Sequence, residues 1–181
     1  MEKPEAICAL FVIDVDNFKR VNDGQGHLFG DTVLVELAAG MKKLMRQTDV
    51  IGRIGGDEFT VFLKDIPSAQ VAEERAKQLL EVFQQLFQEE KQFAGVTCSI
   101  GLAIYPWDAT DYQSLYHCAD LALYQAKSLG KNQYARFDAK RMEAMERIGY
   151  SSLGAVIDSD QNVKGKGSNL VNYVFQILYD T

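Results

Sequence analysis

Histidine and cysteine are scarce in this chain. Two histidines, His27 and His117, and three cysteines, Cys8, Cys98 and Cys118, are spread over 181 residues. Two scattered histidines and the lack of any Cys-x-x-Cys pair exclude the common kinds of zinc site. An odd number of cysteines, each inside an apolar segment, excludes a disulfide framework; they read as reduced core thiols of a cytoplasmic protein. Basic charge is also short: 19 Lys and Arg stand against 25 Asp and Glu, a formal net charge of -6. A protein that grips duplex nucleic acid needs a basic face to displace counterions, so nucleic acid is not an expected partner. A small phosphorylated ligand stays open, because a few local cations or one metal ion can hold it. Long hydrophobic runs are missing too. The longest, AICALFVI at 6–13, falls far short of the roughly 20 residues of a membrane span, and no leader pattern precedes it. No membrane association is expected of this chain. It carries no internal repeat and no low-complexity tract.

What is present is an ordered series of apolar segments. Residues 6–13 are apolar without alternation, which predicts a strand buried on both faces. Asp14 and Asp16 follow at its C-terminal end. Residues 30–46 place Val33, Leu34, Leu37, Met41 and Leu44 on one helical stripe, with Asp31 near the positive end of that helix. Residues 49–54 and 58–63 read as two short strands joined by Gly55-Gly56-Asp57 as a hairpin. A long amphipathic helix is expected over 68–90, with Ser68 as its N-cap. A strand follows over 95–104, a helix over 111–128 closed near Gly130, and a short strand over 132–137. The order β, α, α, β-hairpin, α, β, α, β predicts an α+β sandwich, a mixed central sheet flanked by helices.

The hairpin tip, RIGGDEF at 53–59, carries two glycines and two adjacent acids between apolar strands. Taken alone it is a tight turn with solvated carboxylates. Taken with Asp14 it suggests more. A strand end is where open sheets place ligands, and two carboxylates from separate strands meeting at one point repel unless a cation intervenes. A hard divalent ion, Mg²⁺ above all, fits because it takes one or two carboxylates and recruits substrate phosphates. After Asp16, the segment NFKRVNDGQGHLFGD turns into a helix start. The backbone N–H groups of Asn17, Phe18 and Lys19 are then free to cradle phosphate oxygens, and Lys19 adds a cation. Asn22, His27 and Asp31 are polar residues on the segment that follows.

Eight ordered blocks resemble one family: DVDNFKRVND at 14–23, GH at 26–27, GD at 30–31, GGDEF at 55–59, SIG at 99–101, AD at 119–120, ALYQAK at 122–127 and GKN at 130–132. Together they are similar to the GGDEF family of diguanylate cyclases, from about residue 6 to residue 138. The resemblance implies a fold similar to the class III nucleotidyl cyclase catalytic domains. It implies condensation of two GTP into cyclic di-GMP and pyrophosphate, with Mg²⁺ or Mn²⁺, by a homodimer in which each domain holds one GTP. By position, Asp14, the carbonyl of Val15 and Asp57 would hold the metal. Asp57 and Glu58 would be the catalytic acids, with Glu58, the family's second signature acid, supporting metal or the 3′-hydroxyl. Asn22 and Asp31 would read guanine with His27 nearby, Gly55 and Gly56 would let the nucleotide lie against the backbone, and Lys19, Lys127 and Lys131 would meet the triphosphate. Lys127 and Lys131 are four apart and are expected on one side of the helix end. Arg46 and Asp49, in an R-x-x-D pattern ahead of the signature, would form the family's inhibitory site for its product; a helix-end salt bridge is the plainer reading of that tetrapeptide.

The family's segment of the form D-x-LT-x-L-x-NR and its helix, expected ahead of the first strand, are missing from this sequence, so the domain at 1–138 reads as short at its front. Residues 139–181 read as an extension or linker. Apolar residues at 170, 171, 174, 175, 177 and 178 predict a C-terminal helix, either docking back or leading into a further, GAF-like sensor domain. Three functions therefore compete: an active cyclase domain, a catalytically silent domain that binds GTP or cyclic di-GMP inside a larger signalling protein, and a dimerisation module with flanking sensory or regulatory domains.

Overall fold

The structure is a computed structural model and describes residues 6–89, 95–140 and 142. The chain divides into two compact units, Met1–Phe137 and Asp138–Thr181.

In the first unit, β1 (Cys8–Val15) is the central strand because all eight of its residues are buried, so it needs neighbours on both edges and cover on both faces. It pairs antiparallel with β3 (Glu58–Leu63) on one side and with β4 (Cys98–Tyr105) on the other. β2 (Val50–Gly55) forms the outer strand of a hairpin with β3, and β5 (Tyr134–Arg136) runs parallel to β4. The five-stranded order is β2-β3-β1-β4-β5, a mixed sheet as expected.

Alternation along β1 assigns its faces. Ala9, Phe11, Ile13 and Val15 join one core with Val33, Leu37 and Met41 of α2 (His27–Leu44) and Ala72, Ala76, Leu79 and Phe83 of α3 (Ala69–Glu89). Val12, on the other face, pairs with Gly101 of β4. A Cβ at Gly101 would collide with the backbone of Ala119 and Leu123, so this glycine lets α4 (Tyr112–Ser128) lie directly on the sheet. The result is an open α+β sandwich. Arg75 of α3 donates to the carbonyl of Leu44 at 3.0 Å, closing the end of α2. All three cysteines are buried and unpaired.

Several boundaries differ from the sequence reading. The segment after β1 is a separate helix, α1 (Phe18–Gln25), and α2 begins at His27 rather than at 30. Gly26, at φ 89, both ends α1 and starts α2, so Asp31 falls beyond the first turn. Gly30 is tolerated inside α2 because α1 packs against it: a Cβ there would collide with the Asn22 side chain. The expected strand at 95–104 starts at Cys98 and runs to Tyr105, and the last strand is shorter than 132–137. Asp111 is the N-cap of α4 rather than its first residue, accepting from the Ser114 N–H at 2.9 Å. Ser68 occupies the position before α3, where its carbonyl accepts from the Val71 N–H.

In the second unit, Asp138 accepts from the Lys140 N–H through its side chain and from the Met142 N–H through its carbonyl, both at 3.0 Å. The expected helix at 170–178 lies outside the described residues. Among the described residues, no helix is long and apolar enough to cross a membrane.

Candidate functional site

The site is built where β1 ends. Its register sets Asp14 directly opposite Glu58 on β3 and opposite Ser99 on β4. Two carboxylates on one rung repel, and Asp57, one residue before Glu58, adds to the field on both. Lys127 of α4 answers it, with Nζ 2.8 Å from Asp14 Oδ1. Burial nevertheless wins: it raises the Asp14 carboxyl above its ordinary value, although the Lys127 hydrogen bond and charge pull it down. Glu58 is raised for the same first reason, desolvation, and then by repulsion from Asp14, Asp120 and Asp57.

Asp120 was not assigned a role by sequence. It lies seven residues before Lys127 on α4, a spacing that puts both on one helix face. Burial raises its carboxyl against the pull of His117 and Lys127. Tyr116, one turn earlier, is pushed well up by desolvation and then by Glu58 and Asp120. The acids are thus gathered under partial burial, with Lys127 the cation paired directly to one of them.

The glycine turn continues the same rung, with Gly55 paired to Glu58. β2 ends at Gly55, Gly56 has φ 54, and the Arg53 guanidinium clasps the Gly56 carbonyl with Nε at 3.0 Å and Nη2 at 2.6 Å. A Cβ at either glycine would meet no atom within 4 Å, so the turn carries open space above it. A bulge between Arg53 and Gly55 sets the twist there.

Beside the rung, Asn17 takes a left-handed backbone (φ 58, ψ 30) at the start of α1 and makes no side-chain cap, so the first N–H groups of that helix are left for another acceptor. Phe18 turns its ring toward Gly30. Lys19 is exposed on the same first turn. Lys131 Nζ donates to Asn17 Oδ1 at 2.6 Å. The expectation that Lys127 and Lys131 share one helix face is corrected. α4 ends at Ser128, and Gly130 (φ 118), Lys131 (φ 64) and Asn132 (φ 51) unwind from it, so Lys131 reaches the strand end from a loop.

Asn22 lies on α1 with its Oδ1 buried and without a hydrogen-bond partner, against Gly30 of α2. Asp31 is the next residue and is exposed, as is His27 at the first position of α2. A buried amide oxygen with no partner costs free energy unless something supplies a donor.

Arg46 and Asp49 sit at the far end of the β2–β3 hairpin from the glycine turn, and the structure brings them together. Arg46 Nη2 is 3.2 Å from Asp49 Oδ1, the Arg46 N–H donates to Asp49 Oδ2 at 2.9 Å, and Nη2 also donates to the Lys64 carbonyl at 2.8 Å. The Asp49 side chain is 1% exposed and that of Arg46 47%. The helix-end salt bridge is therefore present.

This chain matches the family described as "Diguanylate cyclase, GGDEF domain" over residues 2–133. The chain belongs to the GGDEF family. It is 37% identical over 131 residues to the bifunctional diguanylate cyclase/cyclic di-GMP phosphodiesterase MucR of Pseudomonas aeruginosa, covering 72% of this chain and 19% of MucR. Its fold is similar to that of a delta-N mutant of TpbB (YfiN) from Pseudomonas aeruginosa comprising only the GGDEF domain, with a TM-score of 0.70, 31% identity, and 77% and 82% of the two chains covered. It is also similar to the GGDEF domain of DgcB from Caulobacter crescentus in complex with c-di-GMP, with a TM-score of 0.61, 26% identity, and 72% and 78% covered. The chain spans 19% of MucR and 34% of full-length TpbB, a fifth to a third of these curated relatives.

Proposed function

We propose that this GGDEF domain condenses two GTP into cyclic di-GMP and pyrophosphate, acting as a dimer. The observation that carries the reading is the Asp14–Glu58 rung beside an open Gly55-Gly56 turn, with Lys127 and Lys131 converging on the same strand end.

The residues present fit a hard divalent cation. Among the described residues, no three acids, histidines or cysteines form a ready-made cage, and Mg²⁺ needs none: one or two carboxylates, waters and substrate phosphates suffice. Asp14, Asp57 and the Val15 carbonyl would hold Mg²⁺ or Mn²⁺. When bound, the ion neutralises charge on the transferring phosphoryl group and acidifies the attacking hydroxyl.

The chain's own side chains divide the rest. Asn22, whose amide oxygen lacks a donor, and Asp31 read the guanine edge, with His27 beside them. Gly55 and Gly56 leave room for the ribose. The N–H groups of Asn17, Phe18 and Lys19, with the ammonium groups of Lys19, Lys127 and Lys131, bind the triphosphate. Glu58, raised by burial and by its acidic neighbours, is the stronger base for it and accepts the proton of the ribose 3′-hydroxyl. One domain presents that hydroxyl and the other the α-phosphate, so alignment of two domains supplies much of the rate. Arg46 and Asp49 bind cyclic di-GMP as an inhibitory site, for which a guanidinium fork suits guanine edges and phosphates. Residues 1–138 are the functional unit, and 139–181 connect it to flanking domains of a larger cytoplasmic signalling protein.

One observation favours a second reading, a silent domain that binds GTP or cyclic di-GMP: the Lys127–Asp14 ion pair already neutralises the strand-end acid from within the chain. Incubation of the purified chain with GTP and Mg²⁺, followed by mass detection of cyclic di-GMP, separates the two. Product formation supports turnover. GTP binding by calorimetry without product leaves the silent domain, and neither result leaves a dimerisation module.

A further inference from the structure

Four non-glycine residues have positive φ among the described residues, and three of them crowd the end of β1: Asn17 (φ 58), Lys131 (φ 64) and Asn132 (φ 51). Left-handed backbone is unfavourable for L-residues, least so for Asn, and a lysine adopts it only where its surroundings over-determine it. What these three share is Asp16.

Asp16 follows the buried strand and is 2% exposed. Its carboxylate accepts from three donors: Ser99 Oγ–H on Oδ1 at 2.7 Å, Thr97 Oγ1–H on Oδ2 at 2.7 Å, and the Asn132 N–H on Oδ2 at 3.1 Å. Its own N–H donates to the Thr97 carbonyl at 2.8 Å. No lysine or arginine is ion-paired with it among the described residues. A buried carboxylate held by neutral donors alone is committed to their geometry, because each lost donor leaves a desolvated charge. The bond to Asn132 ties Asp16 to the left-handed turn that carries Lys131, a turn held on its other side by the Lys131 N–H on the Ala126 carbonyl at 3.1 Å, and Asn17 is the next residue along the chain from Asp16. Lys131 Nζ and Asn17 Oδ1 meet at 2.6 Å across these two segments.

We propose that Asp16 is a positioning residue. Its carboxylate pins the left-handed turn at Lys131–Asn132 to the start of α1 and so sets the Lys131 ammonium at the triphosphate end of β1. This rests on the reading of that end as the GTP site. Asp16 itself touches no substrate in this arrangement; it acts through Lys131 and Asn17.

Amide hydrogen exchange on the full chain tests the clamp without any nucleotide. Asp16→Ala removes the acceptor, and exchange at the Asn132 N–H rises about a hundredfold. Asp16→Asn rescues protection to within about threefold, because a carboxamide oxygen can stand at Oδ2 while its NH₂ donates to the Ser99 hydroxyl turned round to accept. Unchanged protection in Asp16→Ala, or equal loss in both variants, overturns the proposal. Should Asp16→Ala fail to fold, Thr97→Val alone keeps the Ser99 donor on Oδ1 and loosens Oδ2, with a rise of about tenfold expected at Asn132; no rise overturns it. The second arm measures GTP affinity. Asp16→Ala and Lys131→Ala each weaken it about tenfold, and the double variant is no weaker than Lys131→Ala alone. Additive losses overturn the coupling. A wild-type chain that binds no GTP instead overturns the functional reading, and the exchange result then decides the role of Asp16.

Discussion

Asp14 on β1 and Glu58 on β3 face each other across the sheet on one rung, and the ammonium of Lys127 stands 2.8 Å from Asp14. Burial raises both carboxyls, so the folded state carries a cost there whenever both are ionised, and the lysine offsets part of it.

Lys127→Met removes that offset while keeping an unbranched aliphatic stem at the same position of α4. A dry ion pair broken on one side costs roughly 3–5 kcal/mol. Lys127 is 33% exposed and the Asp14 side chain 12%, so solvent screening reduces the expected loss to about 2 kcal/mol at neutral pH. Urea denaturation at pH 7 measures it. The loss shrinks at acidic pH, where the carboxyls protonate and no longer need a counter-charge. An unchanged midpoint at pH 7 would mean that the ammonium does not balance the rung.

Asp120→Asn tests the acid behind the rung. Burial raises the Asp120 carboxyl above its ordinary 3.8 in the folded chain. Above the raised value, the folded state holds a desolvated charge that the unfolded state does not, so the cost is fully present. Below about 3.8 both states are protonated and the cost vanishes. The neutral amide removes the charge at every pH. The variant should therefore be more stable than wild type by about 1 kcal/mol at pH 7 and equal to it near pH 3. Equal stability at both pH values would mean that the folded chain does not penalise the charge.

The central strand was legible because eight consecutive apolar residues, 6–13, run straight into acids, and the hairpin because Gly-Gly-Asp between apolar runs has few other uses. The α1–α2 boundary was not. A glycine commonly breaks a helix, so Gly30 reads as a start, yet it lies inside α2 because Asn22 needs the space a Cβ would fill. Asp14 and Asp16 look alike in sequence, two acids at a strand end. The difference comes from Thr97 and Ser99, 81 and 83 residues away, whose hydroxyls take up Asp16. Nothing local to the strand announces them. The four-residue spacing of Lys127 and Lys131 failed because Gly130 ends the helix between them. Asp120, by contrast, was within reach: it shares a helix face with Lys127, and that periodicity alone marks it as a neighbour of the site.

Gly55 and Gly56 can be told apart. Both have open space where a Cβ would stand, but only Gly56 has positive φ. Gly56→Ala therefore strains the backbone and should cost about 1 kcal/mol of stability. Gly55→Ala should leave stability within about 0.5 kcal/mol of wild type. If the open face is where the nucleotide lies, Gly55→Ala still weakens GTP binding, about tenfold or more, because the methyl group occupies that face. Thermal denaturation and calorimetry on the same samples separate the effects. Wild-type GTP affinity in Gly55→Ala would move the nucleotide away from the turn.

Arg46→Ala separates a structural pair from an inhibitory site. The Asp49 side chain is 1% exposed and accepts from both the Arg46 guanidinium and the Arg46 N–H. Truncation removes the first and keeps the second, so the carboxylate is not stranded, and the expected cost is about 1 kcal/mol rather than the larger penalty of an unpaired buried charge. The Arg46 side chain is 47% exposed and spends Nη2 on Asp49 and the Lys64 carbonyl and Nε on Asp49, which leaves the Nη1 donors. Those are the donors that a guanine edge or a phosphate would take. Arg46→Lys keeps a charge and loses the fork, so it should restore stability better than it restores product affinity. Titration of cyclic di-GMP into wild type and both variants gives the answer. Arg46→Ala should weaken binding at least tenfold, with Arg46→Lys close behind it. Equal product affinity in all three, together with the stability loss in Arg46→Ala, would leave this pair as a fastening between the end of α2 and the start of β2 and nothing more.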